Sequence, residues 1–366
     1  MKENRLHGLD HLRAIAILLV WLYHYRAFNH PGWLDIVGVY GWTGVDLFFV
    51  LSGFLISSHL FKEIKLHDTI RLKSFFIKRF FRIIPPFAFT VAIYFCFPFF
   101  REKEALPSLW KFITFTQNYN LDNLHAGTFS HAWSLCIEEQ FYLLLPFTLL
   151  LFMKTRLLHQ LKYILLALIL ASILLRFLSW NHFVVPALQS DDVWRIWYMH
   201  IYYPTHTRLD GLAIGVLIGF LHEYSATFKK FMHANGVLFF ITGIIMLALS
   251  FWVSSPFSGT SSVFGFTLVA VAYGLLVIAA ISKSFLLSRL SFSWTRQLAD
   301  LSFAVYLSHK GIIHMIQSAL KHTAVPENLL MIACFIGCLI AGLFYRYAIE
   351  HPFRNIKNKL LKYQKS

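Results

Sequence analysis

The chain has 366 residues, of which 57% are hydrophobic, 17% aromatic and only 14% charged. Soluble domains are about 45–50% apolar and about 25% charged, so the composition excludes an ordinary soluble protein and indicates a membrane protein. The net charge of +15 would suggest a nucleic-acid partner in a soluble chain, but the basic residues lie mainly between apolar stretches, and we expect no such partner.

Ten apolar stretches are long enough to cross a bilayer, since a spanning helix needs about 20 mostly apolar residues. They lie near 12–28, 42–61, 81–100, 134–153, 161–180, 207–224, 235–253, 262–281, 298–318 and 329–349. Segment 109–119 is too short to span and is predicted to be re-entrant or interfacial. The sequence thus predicts an all-α, polytopic membrane protein with about ten transmembrane helices and a possible re-entrant segment, in which residues 1–366 form one integral-membrane domain.

The distribution of Lys and Arg predicts an orientation. Connection 62–82 and the C-terminal end 346–366 are rich in basic residues, whereas connection 254–261 has none. Because positively charged connections stay in the cytoplasm, we expect both termini to be cytoplasmic and the number of spans to be even. The first stretch carries Arg13 and His24 within it and has no small-residue cleavage site behind it, so it is predicted to be a retained helix.

The first helix places two ionisable residues on one face. Arg13 and His24 are eleven positions apart in the sequence, which sets them about 20° apart around a helix and about 16 Å apart along its axis. Arg13 is predicted near the cytoplasmic boundary and His24 in the outer half of the bilayer. A snorkelling arginine and a packed, hydrogen-bonded histidine would show the same spacing, so spacing leaves a structural role open.

Further charged residues begin helices two, four and six from the outer side. Each costs about 2.5–3.5 kcal/mol to insert and is therefore a functional candidate. The group comprises Asp46, Glu138, Glu139, Arg208 and Asp210. The topology predicts that they lie at a depth similar to that of His24, where a carboxylate beside the imidazole would form a general-base pair. A structural polar network between helices is the alternative.

Arg79 and Arg82 stand at i, i+3 just before a proline pair. Two arginines on one face can clamp a phosphate group, and anionic lipid headgroups would be bound by the same geometry. His309 and Lys310 lie in the middle of the ninth stretch, where spacing assigns them no role. The four cysteines show no spacing typical of a metal site or a disulfide framework, so we predict no metal.

A set of motifs follows in a fixed order along almost the whole chain. They are Arg-x10-His (13–24), GVDLFFVLSGFLI (44–56), RFFRIIPPF (79–87), SLCIEEQFYLLLP (134–146), RLDGLAIG (208–215), YLSH (306–309) and IEHPFR (349–354). Each motif alone is short and apolar, but the ordered set resembles the acyltransferase type 3 family of bacterial integral-membrane O-acyltransferases.

The resemblance implies an enzyme of the bacterial cytoplasmic membrane that moves an acyl group, usually acetyl, from an acyl-CoA to a hydroxyl of an envelope glycan or lipid-linked saccharide. The acyl-CoA is then a co-substrate, and no cofactor is expected. The expected catalytic residues are His24, Glu138 and Asp46, with the histidine as general base or transient acyl carrier. Donor binding falls to Arg13, Arg79 and Arg82, and acceptor binding or charge balance to Glu139, Arg208, Asp210 and His309.

A transporter or flippase for a glycan or lipid-linked precursor is the alternative function. Buried ionisable residues also mark translocation paths and proton relays. The sequence shows no inverted repeat with matching interrupted helices, and this counts against a transporter.

Overall fold

The computed structural model describes residues 5–252 and 257–363. Within these ranges the chain consists of helices and connecting turns without a β-strand, which confirms the all-α prediction. The α-helices are α1 (His7–Tyr25), α2 (Leu34–Val37), α3 (Thr43–His67), α4 (Leu72–Cys96), α5 (Leu109–Ile113), α6 (Trp133–Lys154), α7 (Leu161–Ser179), α8 (Val193–Trp197), α9 (Asp210–Tyr224), α10 (Ala226–Ala234), α11 (Gly236–Trp252), α12 (Phe266–Ile281), α13 (Leu286–Arg289), α14 (Ser293–Ala319), α15 (Glu327–Phe344) and α16 (His351–Tyr363).

Each of the ten predicted stretches overlaps one of the longer helices. By length and apolar composition, six helical segments of the described chain can cross a membrane, or seven if α9 and α10, which meet at 105°, form one span. The other long helices, α1 and α14, carry several ionisable residues, and α11 is short. The structure therefore has the helices of a multi-pass membrane protein. Connection 254–261 and both chain ends lie partly outside the described residues.

Helix α1 lies in the middle of the bundle, where it packs against α3, α12 and α14. Helix α3 in turn packs closely along α9. A Cβ added at Gly53 would lie 2.3 Å from the carbonyl oxygen of Leu212, and one added at Gly215 would lie 2.2 Å from that of Val50. These glycines therefore allow the two backbones to approach, as small residues do between membrane helices.

The connection 97–132 between α4 and α6 is largely irregular and runs among the helices. Its helix α5 has only 5 residues, so segment 109–119 is too short to span a membrane, as expected. Asn118 is buried, and its side-chain amide donates to the carbonyl of Tyr203 at 3.1 Å and to the hydroxyl of Thr205 at 2.9 Å. Near the end of the connection, the backbone carbonyl of His131 accepts a hydrogen bond from Tyr306 of α14. It thereby fixes the start of α6 beside α14.

Candidate active site

Two histidines from different helices meet near the end of α1. Nδ1 of His24 lies 2.9 Å from Nε2 of His309, and the two ring centroids are 4.9 Å apart. His24 lies in the last turn of α1, and His309 lies within α14, which packs along α1. The sequence predicted both as site residues, but their contact depends on which faces of α1 and α14 meet.

The partners of His309 determine which nitrogen of His24 is basic. Nδ1 of His309 lies 2.8 Å from the carbonyl oxygen of Tyr306 and 3.1 Å from that of Val305. Carbonyl oxygens only accept, so in the neutral ring Nδ1 of His309 carries the proton and Nε2 is an acceptor. Nδ1–H of His24 therefore donates to His309, and Nε2 of His24 keeps its lone pair.

His24 lines a cavity of about 320 Å³ that also contains basic side chains. Lys103, His131 and Lys310 line the same cavity. Nζ of Lys310 is held by a buried ion pair with Glu102 at 2.9 Å, and Nζ of Lys103 donates to the carbonyl of Asn123 at 2.6 Å. The cavity thus combines an imidazole nitrogen that bears a free lone pair with two ammonium groups.

His131 belongs to this cavity, although the sequence analysis did not single it out. Its ring centroid lies 4.7 Å from that of His309 and 5.7 Å from that of His24. Its Nδ1 has no hydrogen-bond partner among the described residues. The available signal was an ionisable residue three positions before the acidic motif of 134–146. The sequence analysis also did not single out Glu102 and Arg176, two further charged residues with buried side chains.

A second cavity brings together the three arginines that were predicted to bind the donor. Arg13, Arg79 and Arg82 line a space of about 140 Å³ with polar groups from α3, α6 and α14. The guanidinium of Arg79 lies 5.5 Å from the ring centroid of Tyr142, and Arg82 lies 3.5 Å from a carboxylate oxygen of Glu350. We call this space the cationic cavity.

The wall between the two cavities is closed by hydrogen bonds of Tyr306. Tyr306 and Ser134 line the cationic cavity, and their hydroxyls are 2.6 Å apart. The Tyr306 hydroxyl also donates to the carbonyl of His131, which lines the His24 cavity. Tyr306 and His309 are one helical turn apart on α14, so the same helix forms the wall and holds His24.

The structure corrects the predicted position of Glu138. Glu138 was expected at the depth of His24, but it lines the cationic cavity and accepts hydrogen bonds from Ser52 at 3.1 Å and Tyr142 at 2.6 Å. The reason is that α6 begins at Trp133, which already lines the His24 cavity. With a rise of about 1.5 Å per residue, Glu138 lies well below it. His309, rather than a carboxylate, orients His24.

Asp46, Arg208 and Asp210 form a buried network instead of joining His24. Asp46 pairs with Arg208 at 2.7 Å, and Asp210 pairs with Arg176 of α7 at 2.9 Å. The Arg208 guanidinium lies 3.9 Å from the ring centroid of Phe266. Asp46, Arg208 and Asp210 line neither the His24 cavity nor the cationic cavity. Arg208 therefore neutralises Asp46.

Glu139 has a different environment from that of its neighbour Glu138. Its Oε1 is buried without a hydrogen-bond partner among the described residues. Over residues 5–252 and 257–363, no group of three or more His, Cys, Asp or Glu side chains is arranged to hold a metal ion.

The chain is similar in sequence to known acyltransferases. A model of an acyltransferase domain matches residues 6–347. The chain is 30% identical over 374 residues to the O-acetyltransferase OatA of Staphylococcus aureus, covering 95% of this chain and 57% of the relative. A putative O-acetyltransferase of the same species is 28% identical over 389 residues, covering 100% of this chain and 60% of the relative. The chain thus spans less than two thirds of the length of these relatives. No solved structure matches it.

Proposed function

This chain belongs to the acyltransferase type 3 family, and from that premise we propose that it transfers an acyl group, chiefly acetyl, from an acyl-CoA to a hydroxyl of an envelope glycan or lipid-linked saccharide. The observation that carries the proposal is the pairing of His24 with His309, which leaves a lone pair on Nε2 of His24 in a cavity that lies beside the cationic cavity. The names of the relatives support O-acetyl transfer.

The orientation that we propose puts the donor on the cytoplasmic side. Ten spans with both termini inside agree with the alternation of basic connections. Arg13 then lies near the cytoplasmic end of α1, and the cationic cavity opens toward the compartment that supplies acyl-CoA. Arg79 and Arg82 would bind the phosphates of coenzyme A, because guanidinium groups bind phosphates through charge-assisted hydrogen bonds.

The thioester must pass Tyr306 to reach His24. The pantetheine arm of coenzyme A is long and thin, so displacing the Tyr306 side chain from Ser134 would be enough to connect the two cavities. Binding of the arm would exchange the hydrogen bonds between Tyr306, Ser134 and the His131 carbonyl for contacts with the donor.

The lone pair of His24 supplies general-base catalysis. The acceptor hydroxyl gives its proton to Nε2 while its oxygen attacks the carbonyl carbon of the thioester. The tetrahedral intermediate then expels the sulfur as the C–S bond breaks, and the imidazolium returns the proton to the sulfur. The products are the acyl ester and free coenzyme A.

The ammonium groups of Lys310 and Lys103 give the negative charge on the tetrahedral intermediate a favourable environment. Preorganised charge around a developing oxyanion is commonly the largest contribution to such catalysis. Glu102 holds Lys310 in place from the connection 97–132.

A covalent route would use the same nitrogen. Nε2 of His24 could attack the thioester and carry the acyl group before passing it to the acceptor. Enzyme incubated with labelled acetyl-CoA and no acceptor would retain label on His24 by this route and stay unlabelled by the general-base route.

The proposal is tested by following label from acetyl-CoA into the polysaccharide of isolated membranes. His24→Ala is expected to abolish transfer while the protein remains inserted and folded, because the base is lost. In the same assay Arg79→Ala and Arg82→Ala should each raise the half-saturating acetyl-CoA concentration by about tenfold, the loss of one charge-assisted contact. Near-normal transfer by His24→Ala would refute the assignment. Equal weakening of donor and acceptor by the arginine variants would indicate a structural role.

A further inference from the structure

A third cavity adjoins the His24 cavity and is lined mainly by aromatic side chains. It has a volume of about 440 Å³ and includes Tyr40, Trp42, Trp197, Tyr198 and Phe257. Its volume lies in the range of about 300–1,000 Å³ that is typical of small-molecule sites. We call it the aromatic cavity.

The aromatic cavity shares part of its lining with the His24 cavity. Tyr23, Arg26 and Trp42 line both spaces. Along α1 and its C-terminal end, Arg13 lines the cationic cavity, His24 the central one, and Arg26 both the central and the aromatic one. The cationic cavity therefore lies beside the N-terminal half of this helix, and the His24 and aromatic cavities both lie beside its C-terminal end.

Hydrogen-bonding groups are distributed among the aromatic rings. The indole N–H of Trp42 is buried and has no acceptor among the described residues. The hydroxyls of Tyr23 and Tyr198 lie 3.1 Å apart where the two cavities meet. The guanidinium of Arg26 is held at 3.0 Å by Asp35. An acyl chain cannot accept hydrogen bonds from these donors, whereas the hydroxyls of a sugar can.

A pyranose ring has the complementary surface. Its axial C–H groups form an apolar face that packs on an aromatic ring, and its hydroxyls form a polar rim. Apolar, largely aromatic walls with a few placed polar groups are the general pattern of ligand sites. The aromatic rings would supply the packing surface, and Trp42, Arg26 and the tyrosine hydroxyls would hold the rim.

We propose that the aromatic cavity binds the saccharide acceptor and presents one of its hydroxyls to Nε2 of His24. The proposal rests on the function proposed above and deepens it by giving the acceptor a site of its own. Donor and acceptor then reach His24 through two different cavities, so that neither has to leave before the other can bind.

The first test replaces two exposed rings of the aromatic cavity. Tyr40 is 38% and Phe257 48% exposed, so Tyr40→Ala and Phe257→Ala are expected to fold. Labelled acetyl transfer is measured with polysaccharide purified from a host strain that lacks this chain. We expect the half-saturating polysaccharide concentration to rise about tenfold in each variant, as expected for a lost aromatic contact. The half-saturating acetyl-CoA concentration should not change.

Tyr347→Ala is the matched control. This tyrosine is 66% exposed and lines neither the His24 cavity nor the aromatic cavity, so both saturation constants should stay at their wild-type values. Wild-type polysaccharide saturation in both Tyr40→Ala and Phe257→Ala would overturn the proposal, as would a change in acetyl-CoA saturation alone. Wild-type protein that transfers no acetyl group would instead refute the proposed function.

The second test does not depend on catalysis. Tyr40 is replaced by the photo-crosslinker p-benzoylphenylalanine in the full chain, and adducts formed in cells are identified by mass spectrometry. A saccharide adduct at position 40 that is missing at the control position 347 supports the proposal. An adduct with phospholipid alone, or no adduct, overturns it.

Discussion

His309 sets the tautomer of His24 because Nδ1–H of His309 donates to backbone carbonyls of α14. That commitment leaves Nε2 as an acceptor for Nδ1–H of His24. In a Ser-His-Asp triad a carboxylate has the orienting role and also stabilises the imidazolium. A neutral imidazole fixes the tautomer but lacks the negative charge, so His309 is a positioning residue.

Replacing His309 should therefore lower the rate of the chemical step. We expect His309→Ala to reduce kcat by about 100-fold or more, the usual contribution of a positioned base, with little effect on the half-saturating acetyl-CoA concentration. His309→Asn should retain more activity, because its amide oxygen can still accept from His24. Steady-state kinetics of both variants provide the measurement. Equal losses in the two variants, or a loss confined to donor saturation, would contradict the positioning role.

At the scale of helices, the ion pair between Asp46 and Arg208 ties α3 to the start of α9. The guanidinium is enclosed by the rings of Phe266, Tyr202 and Trp133 at 3.9, 4.8 and 5.4 Å. Breaking a buried pair by removing one partner costs about 3–5 kcal/mol, because the other charge stays buried and unpaired.

Asp46→Asn should consequently lose stability rather than catalytic chemistry. We expect a lowered unfolding temperature in detergent, measured beside the Tyr347→Ala protein as a surface control. If Asp46 were catalytic, as the sequence analysis expected, kcat would fall about 100-fold while the unfolding temperature stayed unchanged. That result would contradict the structural role of Asp46.

A second contact between elements, the ion pair between Asp122 of the connection 97–132 and Arg195 of α8, depends on pH. Partial burial opposes ionisation of Asp122, yet hydrogen bonds from His125, the backbone N–H groups of Leu124 and His125, and Arg195 of α8 lower its pKa from the usual 3.8 to about 2. A carboxyl group with a lowered pKa stabilises the fold fully above its unfolded pKa, and this contribution disappears as the pH falls through the folded pKa. The neighbouring Asn123 lines the His24 cavity.

Asp122→Asn should therefore be less stable than wild type at pH 6, by a few degrees at most, as for partly exposed ion pairs. The difference should shrink between about pH 4 and pH 2, where the wild-type carboxyl becomes protonated. Thermal unfolding of both proteins across this pH range is the measurement. A difference that does not change with pH would show that the carboxylate charge is not the cause.

For the whole molecule, the proposed topology predicts which connections are accessible from each side of the membrane. Cysteines introduced as Lys73→Cys and Asp191→Cys, in a Cys96→Ser background that removes the exposed native thiol, should differ in labelling by an impermeant maleimide. Asp191→Cys should react in intact cells, and Lys73→Cys only after permeabilisation, since basic connections remain cytoplasmic. Reaction of Lys73→Cys in intact cells would reverse the orientation and place the cationic cavity away from cytoplasmic acyl-CoA.

The sequence predicted the elements well because apolar length and helical period are local properties of a chain. Each predicted stretch overlaps a long helix, and the three arginines assigned to the donor line one cavity. The path of the connection 97–132 was beyond such prediction, since its buried side chains are held by distant residues such as Tyr203. Local pattern carries no information about such partners.

By itself, the sequence determined that this is an all-α membrane chain, that its motifs belong to the acyltransferase type 3 family, and that Arg13 and His24 share one face of a helix. Tertiary structure alone decided the partners of the buried charges. His309 reaches His24, Arg208 reaches Asp46, and Glu138 joins the arginines. The physical reason is that depth along a helix follows from counting residues, whereas contact depends on where each helix starts and which face it turns to its neighbours.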